Sequence, residues 1–309
     1  MRLPIWYVLA SNGEREHRDL VLASARVLRH VDPDCRIGLA LDPESAEAAT
    51  RDRVALSELF DEVRIDRSGE PSAMERSRSI KVRLRLETRG DFCYVDSDTL
   101  AVRPLDNFPV LATGVGMVPD FIPGYPRRLG PPESARAKYE RIGWPFPVPR
   151  YFNGGVIVWL DRADAYTFAE AWHRNWRTSV AAGVPQDQPA LGQTDRDLGG
   201  VVSHLPLAFN AQVSAWPGFA RNAAIWHFFY SQADNGADAS SIFDVLLQDA
   251  RHDRPLRLEQ FDRARRRHFP WMRSQGFTAY ATTGNYVDAA WELPSTVSRL
   301  LARTFSRLA

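Results

Sequence analysis

Short apolar runs alternate along the first hundred residues with longer stretches in which apolar side chains return every three or four positions. IWYVLA (5–10) reads as a strand, and residues 14–30 carry Leu, Val and Ala at helical spacing. RIGLAL (36–41) is a second strand. The pattern then predicts one helix from Pro43 to Phe60, with Asp42 as its cap and Pro43 in its first turn. DEVRID (61–66) is a short strand, residues 70–88 a helix, and FCYVD (92–96) a fourth strand. This alternation predicts an α/β fold, with a mostly parallel sheet covered by helices on both faces. Such sheets bind ligands at the carboxyl ends of their strands, so polar residues there take priority.

The stretch from 104 to 150 breaks the pattern. It holds ten of the 21 prolines, together with Phe121, Tyr125, Tyr139, Trp144 and Phe146. It is either a long surface excursion or a rim that shapes a pocket. YFNGGVIVWL (151–160) is again a strand, followed by a helix over 161–178. GVVSHLPLAF (200–209) and AIWHFF (224–229) read as two more strands. Beyond 236 the character shifts. Residues 260–277 are rich in arginine and aromatics, and 295–309 form an amphipathic pattern with Leu300, Leu301, Phe305 and Leu308 on one side. That last segment fits a helix docked on the domain, or one lying on a membrane surface.

Composition narrows the options. A chain of 309 residues with 44% hydrophobic and 25% charged residues has enough apolar material for a large core. A net charge of +1 gives no general attraction to nucleic acid. The two cysteines, Cys35 and Cys93, lie in apolar runs and exclude a disulfide framework or a Cys-rich zinc module. No apolar run is long enough to span a bilayer, and no cleavage signature follows the first one, so a cytoplasmic setting is expected. Only Lys81 and Lys138 among the 39 basic residues are lysines, which draws attention to Lys81. G-x-G-x-x-G, G-x-x-x-x-G-K-[ST] and G-x-S-x-G are all missing, which counts against dinucleotide dehydrogenases, P-loop NTPases and α/β-hydrolases.

Asp96-Ser97-Asp98 sits at the end of the fourth strand. In extended chain the two carboxylates face the same way, roughly 6.5 Å apart, and a bend brings both onto one cation. Carboxylate oxygens suit Mg²⁺ or Mn²⁺, which also take phosphate oxygens. Asp32-Pro33-Asp34 and Asp195-Arg196-Asp197 have the same form, but only the 96–98 copy follows an apolar strand and precedes another apolar stretch. His227 lies in an apolar strand, as a core imidazole or a third ligand. Asn153-Gly154-Gly155 is either a tight turn or a place where backbone approaches a ligand. Asp187-Gln188 opens a helix before Pro189, which fits capping, an active-site position, or both.

Taken in order, SIKVRLRLE, YVDSDTLAVRPL, GMVPD, FNGGVIVWL, DQPAL, PLAFN and WHFF resemble the GT-A glycosyltransferases, most closely family 8, the glycogenin and lipopolysaccharide galactosyltransferase group. The resemblance spans residues 3–230. It implies a GT-A fold over a catalytic domain of residues 1–235, with 236–309 as a helical, arginine-rich extension. It implies that Asp96, Asp98 and His227 hold Mn²⁺ (or Mg²⁺) against the diphosphate of a nucleotide-sugar donor, expected to be UDP-linked. Lys81 and Asp120 would lie near the donor sugar or diphosphate, with Ser97 beside them. Asn153 and Gly154 would contact the sugar or acceptor, and Gln188 with Asp187 would sit at the anomeric carbon. Ala10, Asn12 and the Asp42 loop would approach the nucleoside. The family's glycine-lysine-proline-tryptophan segment after the histidine is replaced here by FFYSQADN, so an arginine elsewhere is the natural substitute.

The implied reaction is glycosyl transfer to a hydroxyl acceptor with retention, although Asp187 as a base would instead give inversion. The acceptor is a glycan, a lipid-linked sugar or a protein, and the arginine-rich tail favours one at the inner face of a membrane. Two other classes compete. A sugar nucleotidyltransferase needs a glycine-rich basic loop after the first strand, where ASNGERE has a single glycine. A non-catalytic binding module on the same fold has no need of Asp96, Asp98 and His227 together.

Overall fold

The computed structural model describes residues 1–67, 69–121, 132–229, 241–272 and 276–293. In chain order the elements are β1 (Ile5–Leu9), α1 (Arg15–Val31), β2 (Ile37–Leu41), α2 (Pro43–Arg51), α3 (Leu56–Leu59), β3 (Glu62–Ile65), α4 (Ala73–Glu87), β4 (Phe92–Val95) and β5 (Thr99–Ala101). There follow β6 (Val115–Pro119), α5 (Arg136–Ile142), β7 (Phe152–Trp159), α6 (Ala163–Ala181), α7 (Asp187–Asp197), β8 (Ser203–His204), β9 (Ala211–Gln212), β10 (Ile225–His227), α8 (Ile242–Arg251), α9 (Leu258–Arg266) and α10 (Phe277–Thr283). Residues 286–293 are also helical.

Seven strands form one sheet in the order β3-β2-β1-β4-β7-β6-β8. It is mostly parallel, with β7 running against both of its neighbours. Alternate residues of β1 explain its unbroken apolar run. Ile5, Tyr7 and Leu9 join one core cluster while Trp6 and Val8 join the other, so both faces of the sheet are covered. Gly38 pairs with Trp6 across the β1–β2 ladder, and a Cβ there would sit 2.5 Å from the indole ring. Helices α4 and α6 pack together on one face, with Trp159, Trp172 and Trp176 fully buried beneath them.

A second sheet of three strands, in the order β5-β10-β9, packs with α8 and α9 against α1. Leu20 and Val27 of α1 share that core with Trp226, Phe243, Leu246 and Phe261. Among the described residues no helix is long and apolar enough to cross a membrane. The amphipathic segment 295–309 lies outside the described residues.

Several elements differ from the sequence pattern. The helix expected over 43–60 is two, α2 and α3. Asp52 leaves the helix to pair with Arg15 and Arg18, and Arg53 adopts φ +56°, which a helix cannot pass through. The strand expected over 200–209 shrinks to Ser203–His204, because Gly199 and Gly200 both take positive φ and Leu207–Asn210 coils into a 3₁₀ turn. The 224–229 strand stops at His227, with Phe229 at φ +53°. The proline-rich stretch hides β6, whose pairing with β7 slips between Met117 and Val118.

Candidate functional site

The sheet order reverses around β1, which has β2 on one side and β4 on the other, and a crevice opens at the strand ends there. Two cavities occupy it. One, of about 370 Å³, is lined by Ala10 at the end of β1, His17 of α1, Met74 and Ser77 of α4, and Ser97. The other, of about 550 Å³, is lined by Asp120, Tyr151, Asn153, Gln188 and His227 among others. Both share Arg78, Asp96 and Asp98, so they form one cleft with an acidic joint.

Three ligand-capable groups meet at that joint: donor atoms of Asp96, Asp98 and His227 lie within 4.8 Å of one another. Strand pairing brings them together. In the β5–β10 ladder His227 stands opposite Thr99, and the Phe228 amide donates to the Asp98 carbonyl. Thr99 Oγ1 donates to the Asp96 carbonyl at 2.7 Å and holds the bend between the two acids. His227 Nε2 lies 3.3 Å from Asp98 Oδ1, close to the roughly 3 Å between adjacent ligands of an octahedral ion with bonds near 2.1 Å. Two carboxylates and an imidazole suit a divalent cation.

His227 is buried and its ring is fixed from behind. Its Nδ1 lies 2.9 Å from Asn210 Oδ1. Asn210 in turn donates through Nδ2 to Asn153 Oδ1 at 2.8 Å. Asn153 Oδ1 also accepts from the Gly155 amide, so Asn210 must offer oxygen to the ring. Nδ1 therefore carries a proton and Nε2 faces Asp98. This is the outer-shell arrangement that orients histidine toward a metal. Burial pushes the imidazole pKa down, but Asp98 and then Asp96 more than reverse it, and the net shift is upward. Gly155 makes room for this ring: a Cβ there would lie 2.3 Å from His227 Cε1.

A second cluster sits beside the first. Lys81, buried on α4, reaches Asp187 Oδ2 at 2.9 Å and Asp96 Oδ1 at 3.3 Å. Tyr94 donates its hydroxyl to Asp96, and burial with the Asp96 charge raises the phenol pKa. Arg78 Nε lies 3.3 Å from Asp187 Oδ1, an ion pair by distance whose direction makes no hydrogen bond. Burial would raise the Asp187 carboxyl, yet Lys81 and Arg78 overcome it and hold the pKa at about 2. On the far wall Asp120 accepts from Asn153 Nδ2 at 3.1 Å and from Gln188 Nε2 at 2.8 Å. Its own carboxyl is raised by burial. The register slip between β6 and β7 places Asn153, Gly154 and Gly155 at this wall, as bulges beside ligand sites often do.

Most of the residues singled out in the sequence line the cleft: Ala10, Lys81, Asp96, Ser97, Asp98, Asp120, Asn153, Gly154, Asp187, Gln188 and His227. Asn12 and Asp42 do not. Asp42 is completely buried, pairs with Arg76 at 2.6 Å and caps α2 through the Ser45 amide, while Asn12 accepts from Arg76. The two look-alike acidic pairs are structural in part. Asp32 accepts from the Leu105 amide and Asp195 from the Val202 amide, both buried. Arg78, Tyr94, Asn210 and Phe229 escaped the sequence reading. Arg78 lies one helical turn before Lys81, and Tyr94 two strand positions before Asp96, so spacing could have found those two. Asn210 ends the PLAFN segment, to which the resemblance gave no role for that residue.

No model of a known protein family matches the chain, and no curated protein matches it. Among solved structures, mouse xyloside xylosyltransferase 1 in its apo form aligns over 75% of this chain and 99% of its own, at 15% identity and a TM-score of 0.45. The glycosyltransferase GlyE of Streptococcus pneumoniae TIGR4 aligns over 90% of this chain and 67% of its own, at 13% identity and a TM-score of 0.44.

Proposed function

We propose that the chain is a metal-dependent glycosyltransferase that moves a sugar from a nucleotide-sugar donor, UDP-linked, to a hydroxyl acceptor. One observation carries this reading: the Asp96–Asp98–His227 cluster stands at the joint of two cavities, where the diphosphate of a nucleotide sugar would lie with its nucleoside on one side and its sugar on the other. The combined size falls in the range of small-molecule sites. Residues 1–235 would carry catalysis, with 236–309 as an extension. The arginines of α9 and the segment after it favour an acceptor at the cytoplasmic face of a membrane.

Mn²⁺, or Mg²⁺, would be held by Asp96, Asp98 and His227 and would neutralise charge on the departing diphosphate. The protein's own groups supply the rest. Lys81 ties Asp96 to Asp187 and so fixes both walls. Gln188 gives its amide nitrogen to Asp120 and the Phe152 carbonyl, which orients its oxygen for the oxocarbenium-like carbon. In the transfer, the bond from the anomeric carbon to the diphosphate oxygen breaks and its electron pair stays on that oxygen. The acceptor oxygen bonds to the carbon, and its proton passes to the leaving diphosphate. A carboxylate held near pKa 2 by two cations is a weak base, so Asp187 is poorly suited to inversion, which supports retention. A second reading rests on Asp120, whose raised carboxyl lines the same cavity and could serve as the base of an inverting reaction.

Incubation with UDP-sugars and Mn²⁺ should release UDP slowly without acceptor, and the anomeric NMR signal of a transferred product decides between retention and inversion. No UDP release and no UDP binding, with or without metal, would refute the enzyme reading. Pyrophosphate from UTP and a sugar phosphate would point instead to a sugar nucleotidyltransferase. Partner binding indifferent to Asp98→Ala would point to a non-catalytic module.

A further inference from the structure

We infer that Arg78 is the cation that grips the donor's diphosphate; the inference rests on the nucleotide-sugar reading and names a residue for it. Among the described residues, three basic side chains other than His227 line the larger cavity: Arg78, Lys81 and Lys138. Lys81 is only 4% exposed and is held between Asp96 and Asp187, so its charge is already matched. Lys138 lines the larger cavity but not the smaller. Arg78 alone of the three borders both, beside Asp96 and Asp98.

Its side chain keeps 30% of its surface open, and Asp187 is its one ionic partner among the described residues. Nε is turned to that partner, but the contact is poorly directed for a hydrogen bond. Five N–H donors in a planar fork match two phosphate oxygens. The segment directly after His227 carries no such charge, since residues 228–240 contain neither lysine nor arginine. Asp187, anchored by Lys81, holds the guanidinium at the mouth between the two cavities. There it meets the oxygens on which charge grows as the glycosyl bond breaks, so its contact strengthens toward the transition state.

The test compares UDP with uridine in saturating Mn²⁺, by calorimetry and NMR titration, for the wild type and Arg78→Met. Arg78→Met is expected to weaken UDP binding about 10- to 100-fold, the scale of losing hydrogen bonds to a charged group, and to leave uridine binding within about twofold. Arg78→Lys should recover part of the UDP affinity, and kcat should fall in Arg78→Met at saturating donor. Thermal unfolding checks the fold, and Arg78→Gln carries the same comparison if Met is not tolerated. Wild-type UDP affinity in a folded Arg78→Met protein would overturn the inference while leaving the glycosyltransferase reading intact. Equal loss of UDP and uridine would also overturn it, since that marks a structural role. A wild-type protein that binds no UDP would refute the donor reading itself, and this inference with it.

Discussion

Replacing Asn210 by Leu tests the support behind His227. Leucine has the same branched outline but a larger volume, so at this completely buried site the change removes the hydrogen bonds without opening a void and adds an overpacking cost of about 1–3 kcal/mol. Two bonds are lost, the 2.9 Å contact to His227 Nδ1 and the 2.8 Å contact to Asn153 Oδ1. Asn153 Oδ1 keeps the Gly155 amide, so it is not orphaned. The imidazole N–H is, and an unsatisfied buried donor costs about 1–3 kcal/mol. With the ring free to turn, Mn²⁺ affinity should fall about 10- to 100-fold, the usual effect of losing an outer-shell partner. Asn210→Asp keeps an acceptor for the ring but sets a carboxylate oxygen against Asn153 Oδ1. It should hold Mn²⁺ nearly as well as wild type while transfer falls. Denaturant unfolding and Mn²⁺ titration by electron paramagnetic resonance read the two effects separately. A folded Asn210→Leu protein with unchanged Mn²⁺ affinity would refute the reasoning.

Further expectations follow from the same geometry. Gly155→Ala should displace His227, since the added Cβ would lie 2.3 Å from its ring, and Mn²⁺ titration should show weakened binding in a protein that still folds. Asp42→Ala removes the buried carboxylate on Arg76, which keeps Glu44 as a partner, and should destabilise the protein by about 1–3 kcal/mol in denaturant unfolding. A specific loss of nucleoside affinity at unchanged stability would contradict this placement. Asp187 has a folded pKa of about 2, below its usual value, so its stabilising effect is present above pH 4 and lost as pH falls toward 2. The stability gap between wild type and Asp187→Asn should therefore be flat above about pH 5 and close below pH 4; a gap that widens on acidification would contradict the assignment.

How much of this was legible in the sequence depends on the range of the interactions involved. β1, β2 and β4 are continuous apolar runs because both their faces are covered, and the pattern gave them directly. The capping box of Ser72 and Glu75 fixes the start of α4 locally. β5 and β9 are too short to show a period, and β6 sits among prolines. The bulge that follows Asn153 in β7 and the pairing that sets Thr99 against His227 are tertiary facts. Asp42 is a mixed case. Its place before Pro43 marked a helix cap, which it is, while the nucleoside contact came only from the family resemblance, and Arg76 reaches across from α4 to bury the carboxylate. Arg78 precedes Lys81 by one helical turn, a spacing present in the sequence itself.

Mn²⁺ titration of the wild type and of Asp98→Ala, with and without UDP, reads the acidic joint itself. One ion should bind the wild type, more tightly when UDP is present. Asp98→Ala should lose more than about 100-fold in affinity, beyond what an outer-shell change produces. No Mn²⁺ binding by the wild type, or equal binding by both proteins, would contradict a cation centre at Asp96, Asp98 and His227.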